Sequence, residues 1–349
     1  MKILALDLGK FKTVFCNYYT NTADHHFGTL ATTPQAMHDL FVEQQPDRLV
    51  MEVSHVAGWI HDLARTLNLD VQVANPNSEG WRWRRLKRKT DRDDALKLAR
   101  LSAMDQLPTV HMPVPRVRQW RALIAYRHKL VARRTAIRNA IRALLDAQGI
   151  AWPRGASGWT QQALRQMQQL SQPLIDCAAD QLWRGQLHAE MQLLDQLRPM
   201  LEQIEAKLDA LARDDSRVSQ LRSIEGVGPR LAELVVAWID DPHRFSNGRE
   251  VGAYAGLTPK QHQSGQHDRL GRITRQGPAL LRKLLVEIAW GMRRRNPRAA
   301  AFYQRMCHGQ KTRRKQAAVA LARKVLIWCW AMLRDGTTWK SDQQQPAMT

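Results

Sequence analysis

The sequence predicts an α/β domain at the N-terminus, followed by long helices and then a second, mostly helical domain. Three observations carry that expectation. Residues 1–105 alternate short apolar runs with helix-like stretches, whereas residues 113–213 repeat apolar side chains every three or four positions with no strand pattern. Residues 216–335 remain helical in pattern but are punctuated by glycine. The expected divisions are 1–110, 111–215 and 216–335, with 336–349 as a disordered tail ending near Gln343-Gln344-Gln345-Pro346.

Within the first division, Lys2–Leu8, Thr13–Thr20 and a third run near His26–Ala31 read as strands joined by short links, hence a meander. Thr33 opens a helical stretch through Phe41, Arg48–Ser54 is a short apolar strand, Ala57–Leu67 is helical, and Val71–Val73 is another strand. A mixed sheet follows. In the second division, Trp120, Leu123, Ile124, Leu130, Val131, Ile137, Ile141, Leu144 and Leu145 share one helical stripe. Leu187, Met191, Leu194, Leu197, Leu201, Ile204, Leu208 and Leu211 share another, interrupted by Pro199, which is expected to kink its helix. These two long helices are expected to pair as a coiled coil or to mediate self-association, with the stretch from Gly149 through Gly158 and the glutamines after it as their connection.

Charge narrows the partners. Lys and Arg total 53 against 32 Asp and Glu, a formal charge of +21, with a pI near 10.5. A polyanionic partner is the leading expectation. The four cysteines form no CxxC pair, so neither structural zinc nor a disulfide frame is indicated. The longest apolar run, Val325 to Leu333, falls short of the ~20 residues of a bilayer span, and Asp7 interrupts the start too early for a signal peptide. A cytoplasmic location without membrane insertion is therefore expected.

Carboxylates stand where apolar residues belong. Strand alternation puts Ile3, Ala5 and Asp7 on one face of the first strand, and Glu52 interrupts Leu49-Val50-Met51-Glu52-Val53. A buried carboxylate is costly unless it is paired or bound to metal. Lys89-Thr90-Asp91-Arg92-Asp93-Asp94-Ala95 then opens a helix, with Thr90 and Asp93 spaced as a capping box. Asp91 and Asp94 lie three apart on a stripe shared with Ala95, Leu98 and Leu101, expected to face the sheet. Asp7, Glu52, Asp91 and Asp94 together are candidate ligands for a pair of Mg²⁺ ions serving phosphodiester chemistry.

Basic residues crowd the same region. The run Trp81-Arg82-Trp83-Arg84-Arg85-Leu86-Lys87-Arg88-Lys89 offers cations for phosphates and indoles for stacking, although a plain basic loop has the same composition. Residues 116–142 add nine Lys and Arg, compatible either with a solvated face or with a nucleic-acid face. In Ser223-Ile224-Glu225-Gly226-Val227-Gly228-Pro229, Gly226 and Gly228 sit as in a helix-hairpin-helix turn, where backbone N–H groups approach a phosphate. Further on, Ser264 lies in a polar, glycine-bounded loop, followed by Arg272 and Arg275. Composition alone makes that serine a turn residue.

The segments Leu4-Ala5-Leu6-Asp7, Val50-Met51-Glu52, Lys89–Ala95, Ser223–Gly228 and Ala255-Gly256-Leu257-Thr258-Pro259…Ser264-Gly265, in that order, resemble the DEDD transposases of the insertion-sequence family 110 group, which includes the Piv invertase. The resemblance implies a RuvC-like RNase H fold at the N-terminus, a coiled-coil insertion, and a C-terminal transposase domain. It implies that Asp7, Glu52, Asp91 and Asp94 hold Mg²⁺ and that Ser264 is a catalytic nucleophile. It also implies donor and target DNA as substrates, a dimer or tetramer with a site composed from two subunits, a structured bridge RNA as guide, and a bacterial, nucleoid-associated location. The rival readings are a RuvC-like junction nuclease with no serine step, an actin-like kinase or ATPase suggested by Leu6-Asp7-Leu8-Gly9-Lys10, and a non-enzymatic nucleic-acid scaffold. The kinase reading lacks any Gly-Gly dipeptide for an adenosine motif, and the scaffold leaves Asp7 and Glu52 unexplained.

Overall fold

The computed structural model describes residues 1–75, 90–264 and 267–339, which fall into two compact units, Met1–Arg118 and Gln119–Thr349. The first contains β1 (Lys2–Leu8), β2 (Lys12–Tyr19), β3 (His25–Ala31), α1 (Pro34–Gln44), β4 (Arg48–Glu52), α2 (Ala57–Thr66), β5 (Asp70–Ala74) and α3 (Asp91–Ala103). Its five-stranded sheet has the order β3-β2-β1-β4-β5. The first three strands form the expected antiparallel meander, and β1, β4 and β5 run parallel.

Strand β1 is central because both of its faces are apolar. Leu4 and Leu6 join Leu49 and Met51 of β4 against Phe41 of α1 and Ile60 of α2. Ile3 and Ala5 join Val50 against Ala95, Leu98 and Ala99 of α3. The sheet is thus sandwiched between α1 and α2 on one side and α3 on the other. Fully burying each such leucine or isoleucine contributes about 1.5–3 kcal/mol. Thr33 starts α1 by accepting from Ala36 N at 3.3 Å, with Pro34 preset for the first helical position.

The second unit takes in all but the first turn of α4 (Pro115–Ala147). It continues with α5 (Gln161–Leu170), α6 (Leu182–Arg213), α7 (Ser216–Arg222), α8 (Pro229–Ile239) and α9 (Gly248–Tyr254). Strands β6 (Pro259–Ser264) and β7 (His267–Ile273) follow, then α10 (Ala279–Met292), α11 (Pro297–Cys307) and α12 (Arg314–Asp335). Helices α4 and α6 pack on one another in antiparallel sense. Leu130 meets Leu197 and Leu201, while Ile141 and Leu145 meet Leu187 and Leu194. The stripes read from the sequence are therefore satisfied within one chain, and α6 is continuous through Pro199.

Two segments depart from the sequence reading. The glutamine-rich connection is partly the helix α5, capped by Thr160 and anchored by buried Ala163 and Met167. The segment holding Ser264, expected to be a loop, is the antiparallel β6–β7 pair. Its strands lack the apolar alternation by which strands are recognised. The remaining core surrounds α12, whose Leu321, Val325, Leu326 and Cys329 are wholly buried among residues such as Leu231, Leu234, Leu281 and Leu285. By length and composition, residues 311–335 are long and apolar enough to cross a membrane, which the longest apolar run did not register because Arg323 and Lys324 interrupt it. In this structure that helix fills the second core.

Candidate active site

The acidic residues are positioned by the register of two parallel strands. Ala5 lies opposite Val50 and Leu6 opposite Met51, so the next turn of the pleat brings Asp7 and Glu52 to the same end of the sheet. Both extend the face that carries Ala5 and Val50, the face covered by α3, and both are half-buried. The direction of α3 decides which of its ends lies there. Arg48 Nη1, at the start of β4, donates to Ser102 O at 3.5 Å, near the helix C-terminus, and Ser102 Oγ donates to Gln72 Oε1 of β5 at 2.7 Å. From Arg48 to Glu52 the strand advances about 13 Å. From Ser102 back to Asp94 the helix retreats about 12 Å. The helix N-terminus, with Asp94 half-buried, therefore lies over the strand ends that carry Asp7 and Glu52.

The helix start separates three aspartates by role. Thr90 Oγ1 accepts from Asp93 N at 3.3 Å while Asp93 Oδ2 accepts from Thr90 N at 3.2 Å, so Asp93 is occupied as the second half of a capping box. Asp94 sits on the buried side with Ala95 and Leu98, whereas Asp91, the first helical residue, expected on the same core-directed stripe, is exposed. Lys97, one turn beyond Asp94, is only 7% exposed, and Asp7, Glu52, Asp94 and Lys97 are each engaged by a neighbouring group. A buried lysine on the same helix face as Asp94 escaped the sequence reading, although its three-residue spacing from Asp94 is visible there.

Among the described residues, no three His, Cys, Asp or Glu side chains approach closely enough to enclose a metal ion. The candidate donors are nonetheless all carboxylate oxygens, of which Asp7, Glu52 and Asp94 are half-buried at one sheet end, and this is the chemistry a hard divalent cation takes.

Of the cationic candidates, Arg82, Arg84, Arg85, Lys87, Arg88 and Lys89 lie outside the described residues. Along α4 the two readings of the basic stretch divide. Arg118 pairs with Asp62, Arg127 with Glu205 at 2.6 Å, and Arg121 donates to Ala237 O at 2.7 Å, so these three are structural. Further along, Arg138 and Arg142 stand over the Trp159 ring at 4.8 and 5.3 Å. Burial, reinforced by the neighbouring charges of Arg134, Arg142 and Arg198, holds the Arg138 guanidinium below its ordinary pKa. Such a cluster of like charges favours an anion.

The glycine turn joins α7 to α8. Gly226 has φ +93°, and a Cβ there would lie 2.7 Å from Met292 Cγ, whereas Gly228 has room for one. Asn296, buried at 2% exposure, donates from Nδ2 to Glu225 O at 3.2 Å and caps α11 through Ala299 N at 3.0 Å. It ties the turn to the core, and its place just before Pro297 is a helix-start signal that the sequence reading passed over. Ser264 ends β6 opposite His267 of β7, in the second unit, whereas the four carboxylates belong to the first. Arg272 and Arg275 are exposed, and Arg275 has φ +58°.

Comparison with known proteins decides the family. A transposase profile of the DEDD IS110 type matches residues 4–149, and the profile described as the IS116/IS110/IS902 transposase family matches residues 218–304. The chain belongs to the IS110 family of transposases. It is 28% identical over 347 residues to a probable family 20 transposase of Pseudomonas aeruginosa, covering 97% of this chain and 99% of that one. It is 29% identical to the transposase for insertion sequence element IS1111A of Coxiella burnetii, covering 72% and 68%. A pilin gene-inverting protein of Moraxella bovis is 30% identical over 145 residues, 40% of this chain and 44% of that one. As a member of this family the chain is a DNA transposase.

Proposed function

We propose that this transposase moves an insertion sequence by divalent-metal-dependent cleavage and strand exchange on donor and target DNA, with Asp7, Glu52, Asp91 and Asp94 as the metal-holding carboxylates and Ser264 as the nucleophile. The observation that carries the reading is the alignment of Asp7 and Glu52 at the ends of adjacent parallel strands, beneath the α3 terminus that bears Asp94. The strand order β3-β2-β1-β4-β5 supports a RuvC-like RNase H reading of the first unit. Mg²⁺ held by these carboxylates would neutralise charge developing on the phosphate.

In the serine step, Ser264 Oγ attacks the scissile phosphorus as its proton leaves to a base. The Oγ–P bond forms, the P–O bond to the leaving deoxyribose oxygen breaks, and that oxygen takes up a proton. A serine–DNA ester keeps the bond energy for rejoining, so strand exchange needs no high-energy cofactor. The α7–α8 turn, read as a helix-hairpin-helix with Gly226 and Gly228 at the phosphate, and the cations Arg272 and Arg275 would hold the DNA backbone. The basic run at Arg82–Lys89 would deliver a strand to the carboxylates. A structured guide RNA on the same cationic surfaces, and a dimer or tetramer, complete the reading.

The test is a plasmid recombination reporter carrying the native element. D7N and E52Q should abolish recombination while salt-sensitive DNA binding persists. Wild-type recombination in either variant would remove the carboxylates from the mechanism.

A further inference from the structure

The second unit contains a cavity of about 440 Å³ that none of the assigned chemistry uses. Trp290 at the end of α10 and Tyr303 of α11 meet edge to face, with ring centroids 6.2 Å apart. The Arg293 guanidinium stands 5.5 Å from the Trp290 ring and 5.4 Å from the Tyr303 ring. Its buried Nε has no hydrogen-bond partner. Gln304, Gln310 and Arg314 also line the cavity, and Arg314 opens α12, whose N-cap residue Arg313 makes no side-chain cap. The 3-10 turn Lys311–Arg313 runs directly into α12 and Lys311 O accepts the Arg314 N–H, so the groups that meet an anion at the cavity rim are the cationic side chains.

The surroundings select the ligand's charge. Residues 293–315 carry nine Lys and Arg (293, 294, 295, 298, 305, 311, 313, 314 and 315) and no Asp or Glu. A metal cation is disfavoured there and an anion attracted. Two aromatic rings and a guanidinium offer planar surfaces, and two carboxamides offer both donors and acceptors, the combination that accepts a base and its phosphate.

We infer that this cavity receives a single unpaired nucleotide of a nucleic-acid strand, its base against Trp290 and Tyr303 and its phosphate at Arg293 and Arg314. A bulged or flipped nucleotide fits this chemistry and a paired one does not, because only an unstacked base exposes its faces. The cavity would therefore sense strand opening or a structural bulge. The inference goes beyond the carboxylate and serine assignments and does not depend on them.

The experiment uses the full chain and oligonucleotides carrying 2-aminopurine, either bulged from a duplex or fully paired, in DNA and RNA versions. Fluorescence quenching and anisotropy are read across a salt series, with thermal melts confirming that each variant is folded. The bulged probe should bind the wild type roughly tenfold more tightly than the paired one, with quenching on binding. W290L should remove that preference and leave affinity for the paired duplex within about twofold. R314E, at an exposed rim position, keeps the test open should W290L fail to fold, and it should weaken the bulged probe selectively. Equal affinity for bulged and paired probes in the wild type, or an unchanged preference in R314E, would overturn the inference. So would dAMP or AMP binding as tightly as the strand, since the ligand would then be a free nucleotide.

Discussion

Ala5 of β1 lies directly opposite Val50 of the parallel strand β4. Two residues further along each strand are Asp7 and Glu52, so the pairing of two buried apolar residues sets two carboxylates level at the sheet end. Carboxylates brought together in this way repel one another unless a cation is shared. D7N and E52Q are expected to lose at least a hundredfold in recombination while remaining folded in metal-free buffer. Reporter assays and thermal melts on the same preparations check both parts.

The α3 terminus separates capping from chemistry. Thr90→Ala should cost about 1 kcal/mol of stability, since its hydroxyl holds Asp93 N. D93N should behave as a mild cap variant and retain recombination. D91N should leave the melting temperature nearly unchanged, because Asp91 is exposed, while recombination is lost. Denaturant melts combined with the reporter distinguish the three, and an active D91N would strike Asp91 from the site.

The α7–α8 turn contrasts two glycines. Gly226→Ala meets Met292 Cγ at 2.7 Å from a backbone at φ +93°, so it should destabilise the second unit by more than about 1 kcal/mol. Gly228→Ala has room and an ordinary φ of −82°, so it should fold normally. If the backbone at Gly228 approaches a phosphate, G228A will weaken duplex binding several-fold, which fluorescence anisotropy measures directly.

Two histidines give the protein an acid-side weakness. Burial holds His61 below its ordinary value of 6.5, with Asp62 opposing, and burial with the charges of Arg127 and Lys283 does the same to His128. The folded state thus resists a proton that the unfolded chain accepts. Their contribution to stability is complete above the unfolded value of 6.5 and is lost as pH falls through the lower folded values. The difference in melting temperature between wild type and H61Q or H128Q should therefore narrow as pH drops from about 7.5 to 5.5. A constant difference across that range would show that neither histidine contributes to the pH dependence.

Much of the first unit was legible because its periods are clean. Ile3 and Ala5 against Leu4 and Leu6 announce a strand buried on both faces, and Thr90 with Asp93 announces a helix start. The partner of each long helix was not legible, since Leu130 meeting Leu201 and a contact between two chains require the same stripe. The β6–β7 pair was missed because Lys260-Gln261-His262-Gln263-Ser264 has no apolar alternation. The burial of Lys97, the contact of Asn296 with Glu225 and the pairing of Trp290 with Tyr303 depend on residues that only the folded chain brings near one another. Asp7, Glu52 and Asp94 stood out for a different reason. An acid at a position that the pattern reserves for an apolar side chain is conspicuous from the order of residues alone.

The central claim is tested most directly by trapping the strand-cleavage intermediate on a DNA substrate that carries the element's end. The protein is denatured after reaction with Mg²⁺, and the DNA-linked peptide is identified by mass spectrometry. A covalent adduct at Ser264 is expected, absent in S264A and in D91N although both still bind DNA. Cleaved DNA with no adduct in the wild type, or an adduct that persists in S264A, would contradict the serine mechanism.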